Sequence, residues 1–259
     1  MYIRSTAMTQ MSTSSSHPYY PPDAIIPGYA ANETPLPVLL AAFGGTLGFA
    51  VLGAAFVVAR NNKCGGSALA LFCWFFMNAC LHCVFEGYFV LNHAALASSQ
   101  SLLAQLWKEY ALSDSRYLTS DVFILSVESI TAFIWGPLCL FTAVSIACDS
   151  PRQHGLRIIA CVAHLYGVAL YYATSQCEWH FTRRSHSRPE VLYFWVYYVG
   201  FNLPWAIVPV FILLDSLKTI TRALRALDKA EATLRRTRES GLVVAAAAHP
   251  TTEEPKKTR

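Results

Sequence analysis

The chain has 259 residues, of which 54% are hydrophobic and only 14% charged, with a mean hydropathy of +0.35. A water-soluble domain carries about 25% charged residues, so the deficit argues against an ordinary soluble fold and for a membrane protein. The net charge of +4 comes with no basic-aromatic module, which speaks against a nucleic-acid partner.

Residues 1–36 are rich in Ser, Tyr and Pro and lack the charged-then-apolar layout of a cleavable leader. They read as a non-membrane lead-in. Five stretches then have the roughly 20-residue apolar length that crosses a bilayer: 37–59, 69–91, 122–147, 156–174 and 191–214. The fold class expected is an all-α integral membrane protein, a five-transmembrane-helix bundle with an intramembrane cavity. Residues 37–214 form that bundle domain, and 215–259 form a basic tail, disordered from Gly241.

The first span is rich in Gly and Ala, which favours close helix packing. The second carries Asn78, His82 and Glu86; at positions i and i+4 the last two share a helix face. The run Cys80-Leu-His82-Cys83 has no matching pair elsewhere and falls short of the four ligands of a structural zinc site, so no metal is expected. The loop that follows holds Leu106-Trp-Lys-Glu-Tyr110 and Asp114-Ser-Arg-Tyr117. Its composition suits either a structured interfacial lid or an aromatic belt with exposed ion pairs.

The third span presents Glu128 and Thr131 on one face, and the fifth presents Asn202 and Trp205. The fourth is interrupted by His164, Tyr166 and Gly167. After residue 214, Lys218, Arg222, Arg225 and Lys229 recur at helical spacing, as in a segment lying on anionic headgroups. Lysine and arginine bias loops toward the cytosol. Their distribution places the C-terminus there, with the loop at 175–190 dissenting. The terminal Lys256-Lys257-Thr258-Arg259 resembles a dilysine retrieval signal for the endoplasmic reticulum.

Two carboxylates and a histidine are expensive to keep in lipid and are seldom there for packing alone. A histidinium–glutamate pair can protonate an unactivated alkene. A second carboxylate and the face of Trp205 can stabilise the resulting carbocation, and the conjugate base can remove a different proton. Water would trap the cation, so the chemistry wants a dry cavity. No cofactor, phosphate loop or metal is called for.

The stretches His17-Pro-Tyr, His82-x3-Glu86-Gly-Tyr-Phe-Val-Leu, Leu106-Trp-Lys-Glu-Tyr-Ala, Asp114-Ser-Arg-Tyr, Val127-Glu128-x2-Thr131-Ala-x2-Trp-Gly-Pro-Leu, Leu165-Tyr-Gly, Leu192-Tyr-Phe-Trp-x-Tyr and Asn202-x2-Trp205 together resemble the emopamil-binding protein family, best known for sterol Δ8-Δ7 isomerases. The resemblance implies a sterol substrate drawn from the bilayer, membrane lipid as surroundings, residence in the endoplasmic reticulum and cationic amphiphilic amines as inhibitors. It leaves a homodimer open.

Carried over by position, the resemblance gives His82 and Glu86 to proton transfer and Glu128 to the cation. Thr131 and Asn202 would orient the carboxylates, Trp205 would face the cation, and Tyr117 and Tyr198 would be substrate-binding wall residues. Two departures stand out. Val168 occupies a position where animal members carry an acid, and the segment at 176–186 lacks the family pattern. Both are expected away from the carboxylates. Competing readings are the same chemistry on another polycyclic terpenoid, or a non-catalytic lipid- or amine-binding relative.

Overall fold

The computed structural model describes residues 17–61 and 65–247. All regular structure among them is helical. Five helices are long and apolar enough to span a membrane: α1 (Leu36–Arg60), α2 (Gly66–Ala95), α4 (Val122–Ala147), α5 (Arg152–Thr182) and α6 (Leu192–Ser240). Each corresponds to an expected span, the fifth beginning one residue later than expected. α5 is longer than the sequence suggested at both ends, and its helix runs unbroken through His164, Tyr166 and Gly167. The last turns of α5 take in residues 176–182, which the sequence had given to a loop.

Large apolar side chains face outward along the spans, among them Phe49 at 83% exposure and Phe211 at 69%. In water this would be costly; against lipid tails it is neutral, which is why a membrane bundle can leave such surface uncovered. The chain is a multi-pass membrane protein.

Two compact units divide between Leu213 and Leu214. Within the first, one buried cluster gathers Phe72, Phe75, Cys139, Ala143, Ala160 and Cys161. Another gathers Phe89, Trp107, Tyr117, Ile124, Tyr171 and Tyr198. Along α2, Leu81, His82, Phe85 and Glu86 lie between Phe75 of one cluster and Phe89 of the other. The second unit begins at Leu214 and is helical over its described residues, with its side chains almost all exposed up to Ser240. Helix persists to Ala247, past Gly241, where disorder was expected. The basic terminus with Lys256 and Lys257 lies outside the described residues.

The loop between α2 and α4 is a folded lid. Helix α3 (Leu102–Tyr110) starts at Ser101, whose hydroxyl accepts from the Ala104 N–H. Asp121 caps α4 in the same way, accepting from Ile124 at 3.0 Å. Between them Asp114 and Arg116 form a buried ion pair at 2.6 Å. Burial alone would weaken the Arg116 guanidinium, but Asp114 beside it reverses the effect and holds the charge. The reading of an aromatic belt with exposed ion pairs is thereby set aside: Trp107, Lys108, Asp114, Arg116 and Tyr117 are all buried.

Residues 17–35 strap this lid down. Tyr19 Oη donates to the Lys108 carbonyl at 3.1 Å, and Lys108 Nζ donates to the Ala30 carbonyl at 2.8 Å. Gln105 is held from both sides, its carbonyl accepting from Asn32 and its side chain from the Thr34 N–H, each at 2.8 Å.

Candidate active site

Three of the spans change their hydrogen-bond register where they carry polar residues. π-helical segments occupy Leu81–Glu86 in α2, Thr131–Trp135 in α4 and Leu192–Gly200 in α6. Such segments insert an extra residue into a turn and are frequent at functional sites. The first holds His82 and Glu86 themselves, so their alignment on one face arises in a π turn rather than the α turn assumed from their spacing.

α2 and α4 come unusually close at this level. A Cβ added to Gly136 would lie 2.5 Å from Cys83 Sγ, 3.1 Å from His82 Cβ and 3.2 Å from the Cys83 nitrogen. No residue but glycine fits there without moving a neighbour. The contact sets His82 and Glu86 of one helix beside Glu128 of the other.

The residues surround a cavity of about 640 Å³, within the roughly 300–1,000 Å³ typical of small-molecule sites. His82, Glu86, Tyr117, Glu128, Thr131, Asn202 and Trp205 all line it. Nδ1 of His82 lies 2.9 Å from both carboxylate oxygens of Glu86. Tyr117 Oη donates to Glu128 Oε1 at 2.7 Å. Burial, reinforced by Glu128, pushes the Tyr117 phenol well above its usual range, so it remains a proton donor. Glu86 and Glu128 thus face the same cavity from two different helices.

Two expectations need correction. Thr131 Oγ1 donates to the Val127 carbonyl at 2.9 Å, and Asn202 Nδ2 to the Tyr198 carbonyl at 2.8 Å and to Tyr110 Oη at 3.2 Å. None of the three bonds reaches a carboxylate. Glu86 is oriented by His82 and Glu128 by Tyr117. Secondly, Tyr198 packs behind the wall against Tyr171, Tyr172 and Phe194, while its neighbour Tyr197 lines the cavity. Adjacent residues on a helix point some 100° apart, and the π register in which both lie decides which one faces in. Val168, one of the departures from the family pattern, lines the cavity as well. His186, in the other departing segment, bonds Ser115 at 3.2 Å in the lid next to Tyr117.

Trp205 presents its ring to the cavity while its indole N–H donates to Asn78 Oδ1 at 2.6 Å. Asn78 is itself held by the Trp74 carbonyl at 2.7 Å. Its face alignment with His82 thus serves to fix the tryptophan.

The sequence reading gave no site role to several further residues at or behind the wall. His164 Nε2 lies 3.1 Å from His82 Nε2, and Cys139 Sγ lies 3.8 Å from the same His164 nitrogen. From the lid, Trp107, Glu109 and Tyr110 reach in. The Trp107 ring stacks on Phe85 at 4.3 Å, and Glu109 accepts from Tyr197 Oη at 3.1 Å. Burial raises the Glu109 pKa, although the bond from Tyr197 works the other way.

Comparison with known proteins adds an independent line. The model of the EXPERA (EXPanded EBP superfamily) family matches residues 102–216. The 3-beta-hydroxysteroid-Delta(8),Delta(7)-isomerase of Mus musculus is 33% identical over 215 residues, covering 82% of this chain and 92% of its own. The Rattus norvegicus protein of the same name is 35% identical over 215 residues, with the same coverage of 82% and 92%. An isomeliandiol synthase of Melia azedarach is 31% identical over 158 residues, covering 61% of this chain and 72% of its own.

Proposed function

The chain belongs to the expanded EBP superfamily, with the sterol isomerases among its relatives, and we propose that it moves a sterol B-ring double bond from C8–C9 to C7–C8. It is an isomerase that transposes a carbon–carbon double bond. The observation that carries the sterol reading is the pairing of Glu86–His82 with Glu128 in one apolar cavity of about 640 Å³ inside the membrane bundle.

The mechanism follows from these groups. The histidinium form of the His82–Glu86 pair delivers a proton to C9, and the C8 cation forms between Glu128 and the Trp205 ring. The cation is worth more to a carboxylate here than in water, because the walls exclude solvent and the partner is already aimed. Tyr117 keeps the Glu128 carboxylate pointed at the cavity. Loss of a C7 proton to the basic pair then completes the shift without net change in atoms or charge. Cationic amphiphilic amines should inhibit, since an ammonium imitates the cation.

We place the protein in the endoplasmic-reticulum membrane, as the family resemblance implies, with the basic segment after residue 214 cytosolic on the loop charge bias. The experiment that tests the function is sterol profiling of isomerase-deficient yeast carrying this gene. Conversion of accumulated Δ8-sterols to Δ7-sterols supports the reading, and unchanged accumulation with the protein present in the membrane overturns it. A second reading, the same chemistry on another polycyclic terpenoid, draws support from the isomeliandiol synthase relative and from Val168 in the cavity wall. Yeast fed candidate triterpenoids separates the two.

A further inference from the structure

We propose that His82, Cys139 and His164 form a binding site for a zinc ion, and that its occupation shuts off the proton-transfer pair. The ligand atoms of the three residues lie within 4.8 Å of one another, and all three residues are buried. Bond lengths of about 2.0–2.1 Å to nitrogen and 2.3 Å to sulfur put neighbouring ligands of a tetrahedral ion roughly 3.4–3.6 Å apart. The separations of 3.1 Å between the histidine nitrogens and 3.8 Å from His164 to the thiol bracket that range.

Proton placement supplies the second argument. With Glu86 holding a proton on His82 Nδ1, a neutral His82 turns a lone pair on Nε2 toward His164. His164 in its Nε2–H form donates to that lone pair at 3.1 Å. A zinc ion displaces this one proton, which moves to His164 Nδ1, a buried nitrogen with no other partner. Zinc–nitrogen bonds of about 2.0–2.1 Å exceed half the 3.1 Å separation, so the ion sits off the line between the nitrogens and the rings splay slightly to receive it.

Charge and second-sphere contacts favour the metal as well. Glu86 on the far nitrogen of His82 makes the carboxylate–histidine–metal arrangement that fixes ring orientation and strengthens the ligand. On binding, the Cys139 thiol loses its proton to solvent, and its thiolate together with the Glu86 carboxylate balances the two positive charges of the ion. The site is then neutral overall, as an apolar cavity requires. His82 and His164 both line the cavity, which leaves the fourth position open to a water. The loss of turnover rests on the isomerase reading; the metal site does not.

The test uses cobalt(II) as a visible stand-in, titrated into the purified full-length protein in detergent. One equivalent should give tetrahedral ligand-field bands and a thiolate-to-cobalt charge-transfer band, both removed by zinc. Cys139→Ala and Cys139→Ser should abolish the charge-transfer band, His164→Gln should weaken binding at least tenfold, and Cys83→Ala should retain the band. Zinc should lower Δ8-sterol turnover at least tenfold, reversibly with a chelator, and the ratio of rates with and without zinc should approach one in Cys139→Ser. Absence of the band at millimolar cobalt, or its persistence in Cys139→Ser, overturns the site. Cobalt binding without zinc inhibition overturns the switch. Cobalt binding as described in a protein inert toward every Δ8-sterol upholds the site and removes the sterol reading.

Discussion

The phenol of Tyr117 donates to Oε1 of Glu128 at 2.7 Å, joining the lid to the acid of the third span. Tyr117 is buried and stacks with Trp107 at 4.7 Å, so the lid holds the carboxylate from a fixed position. Hydrogen bonds to charged groups contribute about 1.5–3 kcal/mol. Tyr117→Phe should therefore lower turnover by about tenfold to a hundredfold while the protein keeps its thermal stability within a few degrees. Unchanged turnover in detergent-solubilised protein would remove Tyr117 from the site.

Glu86→Gln and Glu128→Gln should each reduce turnover about a hundredfold or more, the scale of general acid–base and electrostatic groups. The amide has nearly the carboxylate's volume, so both variants should reach the membrane at normal levels. Microsomal assays with a Δ8-sterol decide this; normal rates in either variant contradict the assignment.

Gly136→Ala probes the helix contact rather than the chemistry. Its new methyl would sit 2.5 Å from Cys83 Sγ and 3.2 Å from backbone at the same residue. Overpacking of this kind costs about 1–3 kcal/mol, and it pushes His82 away from Glu128. Turnover and melting temperature should both fall. Removing the sulfur in the Gly136→Ala, Cys83→Ala double variant should restore part of each.

Much of the bundle was legible because a bilayer imposes a length of apolar sequence on every span. The two glutamates and His82 stood out by their cost in lipid. His164 did not, since one histidine on an apolar helix reads as an interruption; its meaning comes from packing against a residue 82 positions away. Cys139 was hidden for a similar reason, a buried free thiol being hard to tell from a small hydrophobe. The exchange of Tyr198 for Tyr197 lay beyond sequence reasoning because the π segment at Leu192–Gly200 resets the facing of residues on α6. The lid's charges, left open in the sequence, were settled by burial of Asp114 against Arg116.

His82→Ala should separate catalysis from recognition. Isomerisation should be lost, while a radiolabelled cationic amphiphile should still bind, because Glu86 and Glu128 remain to meet its ammonium. Loss of binding together with loss of the folded protein would assign the histidine to structure instead.

Solvent exchange at the reacting carbon tests the central claim most directly. A Δ8-sterol turned over in heavy water should yield a Δ7-sterol carrying one solvent-derived deuterium at C9, placed there by a His82–Glu86 pair that equilibrates with water between turnovers. The C7 position should lose a hydrogen to solvent and gain none. Product free of deuterium at C9 would contradict protonation by this pair.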